Sequence, residues 1–130
     1  MSQDIQKEIG IVKVSDEVVG TIAGLATVEV PGVAGMSGGI VDGFAKLLTG
    51  TQLTKGVKVE VGEKEAAIDL SIIVDYGVSI PEVAWKVQEN VKRNVEQMTG
   101  LNVVEVNVYI QGVHMGKKEG KEENRRFEVK

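Results

Sequence analysis

The sequence predicts an α+β fold of two layers, a mixed β-sheet with helices packed on one face. Three features predict it: two alternating strands between Ala66 and Ile110, a capped amphipathic helix joining them, and a further alternating run just before. In the first strand Ile68, Leu70, Ile72, Val74 and Tyr76 share one face, while Asp69, Ser71 and Asp75 share the other. This is the period-2 pattern of a half-buried strand. In the last strand Val104, Val106, Val108 and Ile110 alternate with Glu105, Asn107, Tyr109 and Gln111, so both strands have one dry and one wet face.

The joining segment carries helix punctuation. Ser79 and Glu82 have capping-box spacing, Pro81 falls in the first turn where its missing N–H costs nothing, and Gly100 closes the element. Ile80, Val83, Ala84, Val87, Val91, Val95 and Met98 form one apolar stripe, backed by Lys86, Glu89, Lys92, Arg93 and Glu96. A helix of this length between two strands of one sheet is a crossover between parallel strands, right-handed by the general rule.

In chain order, residues 1–8 are polar and expected to be disordered. A single domain is expected over 9–115 and a charged disordered tail over 116–130. Ile9, Ile11 and Val12 predict a short strand, and Ser15 an N-cap followed by the acidic first turn of a helix to about Thr27. Its expected core stripe is Val18, Ile22, Leu25 and Ala26. Gly20, Ala23, Gly24 and Thr27 gather on another face as a shallow groove of small residues. That groove either packs inside the domain, the preferred reading, or serves self-association. After Pro31 and Gly32 a short strand is expected, then a helix over Ile40 to Leu48 with Phe44, Leu47 and Leu48 as apolar contacts. Val57, Val59 and Val61 predict a strand that pairs with the next as an antiparallel hairpin through the polar turn 62–65. The order strand, capped helix, glycine, strand around 9–36 weakly echoes that around 68–110.

Composition removes several functional classes. With no cysteine there is no disulfide, thiol nucleophile or thiolate metal site, which fits a reducing compartment. Neither an apolar signal region nor a membrane-spanning run is present in the sequence, so a soluble cytosolic protein is expected. The net charge is −4, and the tail holds six bases against four acids, so the body is more acidic than the whole. An acidic body with 4% aromatic residues argues against nucleic-acid binding.

No motif carries chemistry. The lone histidine, His114, stands at the edge of the tail, poorly placed for a triad or a metal site. Asp69 and Asp75 share a face but lie roughly 20 Å apart, too far to work on one bond. Gly38 and Gly43 have P-loop separation, yet Phe44 and Ala45 stand where Lys and Ser or Thr are needed. Ligand binding at the glycine-rich loop 32–43, with Lys46 or Lys55 and a nucleotide or acyl-CoA as ligand, remains the alternative function. Trp85 breaks its local pattern, pointing away from the apolar stripe towards Pro81, Gln88 and Lys92. It either caps the side of the core or anchors a protein partner.

The runs GLATVEVPGVAGMSGGI (Gly24 to Ile40), GVKVEVGEKEAAIDL (Gly56 to Leu70), IPEVAWKVQENV (Ile80 to Val91) and TGLNVVEVNVYIQGV (Thr99 to Val113) closely resemble the alkaline-shock-protein (Gls-type) family. These are envelope stress response proteins of Gram-positive bacteria. The resemblance implies a non-enzymatic, cofactor-free cytoplasmic protein that works near the membrane face through a membrane-anchored partner and forms homo-oligomers. It also implies, for a similar subgroup, a link to an acetyl-CoA carboxylase component and hence to fatty-acid synthesis. It supplies no catalytic residues. The candidate partner-binding residues are therefore Trp85 with Lys92, the small face at Gly20 and Gly24, and the apolar edge at Phe44 and Leu47.

Overall fold

The computed structural model describes residues 9–38 and 55–115. The expected helix over 40–48, with Phe44 and Leu47, and the terminal segments 1–8 and 116–130 lie outside the described residues. The element order is α1 (Asp16–Val28), β1 (Val33–Met36), β2 (Val57–Val61), β3 (Glu65–Asp75), α2 (Ile80–Thr99) and β4 (Asn102–His114).

Each helix starts and stops where its sequence dictates. The Ser15 hydroxyl accepts from the Val18 N–H at 3.2 Å, satisfying one of the donors a helix start leaves open. On α2 the Ser79 hydroxyl accepts from the Glu82 N–H at 3.4 Å. Only half of the expected capping box forms among the described residues, because Glu82 turns to Lys86, 3.8 Å away. Gly100 ends α2 in the left-handed region at φ 79°, donating to the Glu96 carbonyl at 2.9 Å.

The sheet is mixed, as expected, and β3 is its central strand. β4 runs parallel to β3 along its whole length, from Glu65↔Asn102 to Asp75↔His114. Since a strand has two edges, β1 and β2 share the other one end to end. β2 pairs antiparallel with residues 66–70, completing the predicted hairpin, and β1 pairs antiparallel with residues 72–74. Gly56 lies at the seam between them: its carbonyl accepts from the Ser71 N–H at 2.8 Å, while the Ser71 carbonyl accepts from Ser37 at 2.9 Å.

Both helices cover one face. Ala66, Ile68, Leu70, Ile72 and Val74 of β3 are buried against Val83, Val87, Val91 and Val95 of α2 and Val19, Ile22, Ala23 and Ala26 of α1 in one core. Val57, Val59, Val61, Val106, Val108 and Ile110 pack at its margins, half-buried. On the opposite face polar side chains meet, with the Asn107 amide donating to Asp69 at 2.9 Å and to Glu105 at 2.8 Å.

Several expectations differ from the structure; Ile80 and Met98, at the two ends of the expected α2 stripe, are exposed. Ile9, Ile11 and Val12 form no strand and are exposed, so the echo between the two halves fails at its first element. Tyr76 leaves the dry face because β3 ends at Asp75 and the chain turns there towards α2. Val104 is exposed because the register slips between Ala66↔Val103 and Ala67↔Glu105, which makes Val104 an extra, bulged residue and turns Val103 inward.

A further difference concerns α1: Ile22 and Ala26 of the expected stripe are buried, together with Val19 and the small-residue face Gly20, Ala23, Gly24 and Thr27, whereas Val18 and Leu25 are exposed. Choosing the stripe by side-chain size rotated it partly out of place, because close approach to a neighbour favours small residues. Thr27 tolerates burial by donating its hydroxyl to the Ala23 carbonyl at 2.7 Å.

Candidate interaction surface

On α2 the residues beside the buried valines follow each other at three- and four-residue steps: Trp85, Gln88, Lys92 and Glu96. Such spacing puts them on one side of the helix. That side runs along the outer edge of β4, the edge that β3 does not occupy. The Lys92 ammonium bridges the Glu96 carboxylate at 2.9 Å and the Val103 carbonyl at 3.0 Å. Glu96 in turn accepts from the Val103 N–H at 2.9 Å, and the Gln88 amide donates to the Val106 carbonyl at 2.9 Å.

These contacts hold the Glu96 carboxyl below its ordinary pKa. The hydrogen bond from Lys92 is the main cause and that from the Val103 amide the next; burial opposes them, and the charge of Lys92 adds to them. Backbone groups on an open strand edge would otherwise need water or another strand. Three α2 side chains therefore close the first half of the β4 edge.

Trp85 is 55% exposed. The α2 stripe already fills its side of the core with Val83, Val87, Val91 and Val95, so the indole is left over as surface. Three residues of helix span about 4.5 Å, which places Trp85 beside the strand roughly one to two residues beyond Val106, level with Val108.

The predicted site residues thus meet different fates. Trp85 and Lys92 share one surface, but Lys92 is tied to Glu96 and Val103. Gly20 and Gly24 are buried within the domain and offer no surface, which is the preferred reading of that groove. Phe44 and Leu47 are outside the described residues. Sequence reasoning placed Gln88 beside Trp85 but missed its bond to Val106 and the β4 edge itself. The available signal was the run Val108 to Val113, six residues without a charge or a proline.

The glycine-rich loop is described up to Gly38, and its glycines serve the fold. Gly32 has φ +102°, and a Cβ there would lie 2.7 Å from Val83. Gly35 pairs with Ile73 inside the sheet. A groove of about 320 Å³ lies between the end of α1 and α2, stitched by the Asn90 amide, which donates to the Ala26 carbonyl at 2.8 Å and to Glu29 at 2.7 Å. Among the described residues no three His, Asp or Glu gather as metal ligands, and no helix is long and apolar enough to cross a membrane.

Comparison with known proteins gives one consistent picture. YqhY of Bacillus subtilis is 41% identical over 85% of this chain and 82% of its own length. YloU of the same organism is 39% identical over 88% of this chain and 98% of its own. A stress response regulator gls24 homolog of Streptococcus pyogenes is 36% identical over 84% of this chain and 62% of its own. A family model described as the alkaline shock protein 23 family, with cell envelope-related function, matches residues 4–115. With the match spanning every described element, the chain belongs to the alkaline shock protein 23 family of cell envelope-related proteins, the group that its sequence resembles.

Proposed function

We propose that this protein is a non-enzymatic module of the envelope stress response that works by self-association and by binding partner proteins at the cytoplasmic face of the membrane. The observation that carries this reading is Trp85: a large aromatic left exposed on a well-formed helix, beside a strand edge and apart from the core stripe. Exposed tryptophan is the residue type most enriched at interface hot spots. The partners it would serve are a membrane-anchored protein or an acetyl-CoA carboxylase component, the latter connecting the protein to fatty-acid synthesis. The described glycines of the 32–38 segment are spent on turns and strand pairing, which removes much of the appeal of nucleotide or acyl-CoA binding.

The test is affinity capture from lysate that includes membranes, with wild type and Trp85→Ala side by side. Recovery of a membrane protein or carboxylase subunit by wild type, reduced at least tenfold in the folded variant, is the expected result. Equal recovery by both removes Trp85 from the function. A thermal shift with nucleotide or acyl-CoA, about 2.7 kcal/mol of stabilisation at a hundred times Kd, would replace this reading with ligand binding.

A further inference from the structure

The face of the sheet away from the helices is acidic at its two ends and neutral between them. Residues paired across strands share a face. Glu60 lies beside Ala67 and Ala67 beside Glu105, while Lys58 lies beside Asp69 and Asp69 beside Asn107. Glu65 stands on the same face of β3, so Glu60, Glu65, Asp69 and Glu105 gather around one cation, Lys58. The two Lys–Glu ion pairs among the described residues, Lys86 with Glu82 and Lys92 with Glu96, lie within α2 and leave these carboxylates unneutralised. At the other end of the face Asp75 pairs with His114. Between the ends Ser71 lies beside Tyr109 and Ile73 beside Gly112, all uncharged.

The chain leaves the sheet at the Asp75 end, because β4 stops at His114. Beyond it the segment 116–130 holds four of its six bases in two pairs, Lys117 with Lys118 and Arg125 with Arg126, eight positions apart. Asp75 and Ala67, the centre of the larger acidic group, are also eight positions apart. Eight extended residues span about 26 Å in either case. The basic pairs therefore match the acidic ends in spacing and in order. Glu119, Glu122 and Glu123 fall between the pairs, level with the neutral stretch. A cleft of about 460 Å³, lined by Gly56, Lys58, Asp69, Ser71 and Tyr109, opens on that path.

We infer that the segment 116–130 docks back across this face, with Lys117 and Lys118 at Asp75 and Arg125 and Arg126 among Glu60, Asp69 and Glu105. This segment is the occupant because it starts at the face, has the length to cross it and carries the opposite charge where the face is acidic. Exposed ion pairs are individually weak, but a tethered segment meets its site at an effective concentration in the millimolar range. The inference does not depend on the partner-binding reading above. A basic segment of any partner protein must displace the tail to reach this face.

The experiment uses the full chain, which has no cysteine of its own, with a nitroxide on Asn124→Cys. At about 10 mM salt, where charges act over about 30 Å, the amide signals of Ala67, Asp69, Glu105 and Asn107 should lose most of their intensity. Those of Glu89 and Arg93, exposed on α2 away from the sheet, should keep theirs. Adding Arg125→Glu and Arg126→Glu, or raising salt to about 1 M, where the range is about 3 Å, should return the lost signal. Unchanged shifts of Val87 and Val91 show that the fold is intact. Loss spread evenly over the surface, or loss that survives the double charge reversal, overturns the inference. So does no loss at all, which leaves the face open to a basic partner. A nitroxide-bearing chain mixed with isotope-labelled wild type checks the tether: equal loss on the wild-type chain assigns the face to the tail of another copy and also overturns it.

Discussion

Glu96 shows how one side chain ties two elements together. Its carboxylate accepts from the Lys92 ammonium and the Val103 amide, and both bonds favour the ionised form, with Lys92 the stronger influence. A carboxylate whose folded pKa lies below its ordinary 4.5 stabilises the fold fully above that value. The contribution is lost as pH falls from there through the depressed folded pKa. Glu96→Gln should therefore lower stability at neutral pH and flatten the loss between neutral and acidic pH, read from urea midpoints of both proteins. Parallel pH profiles for the two would show that the contact does not bear on stability. None of this was visible at Glu96 in the sequence, where it counts as one of several polar residues on the outer face of a helix. Its role depends on which strand edge the helix passes over.

At the scale of elements, the seam between β1 and β2 is the tightest backbone approach described. Gly56 has φ +82°, and a Cβ there would lie 2.8 Å from the Ser37 carbonyl oxygen and 2.9 Å from that of Ser71. Both are main-chain atoms that cannot swing aside. Gly77 also has positive φ, +96°, but a Cβ there meets nothing within 4 Å. Gly56→Ala should thus cost roughly 2 to 3 kcal/mol and Gly77→Ala about 1 kcal/mol, compared by denaturant unfolding. Equal costs would mean that the seam relaxes around the methyl.

Such close approaches also mark what the sequence hides. Strands β2, β3 and β4 and helix α2 were legible because period-2 and 3.6-residue patterns and explicit caps are local properties. The burial side of α1 was not, since Val18 and Leu25 outweigh Gly20 and Gly24 on any hydrophobicity count, whereas packing favours the side that lets backbones approach. The bulge at Val104 was hidden too, because Val103 and Val104 are equally apolar and only pairing with β3 decides which faces inward. Trp85 was legible as off-pattern. The open edge beside it depends on strand order, which no local pattern encodes.

For the whole molecule, the topology leaves two sheet edges with different fates. One is divided between β1 and β2, and the other is the 13-residue β4, closed by α2 side chains as far as Val106. An α+β domain with helices on one face needs no further partner for its core, as the continuous buried cluster shows. Among the described residues it presents outward the uncharged strand stretch Val108 to Val113 and the exposed Trp85 indole, features suited to proteins rather than to small molecules. The family is described as cell envelope-related in function, and the proposed role joins that description to this surface. The most direct measurement of that central claim is the solution mass of the purified chain by sedimentation velocity, from low to high micromolar concentration. The account predicts a species at or above twice the 14.0 kDa of one chain, growing with concentration. A single species of one chain's mass throughout would contradict it.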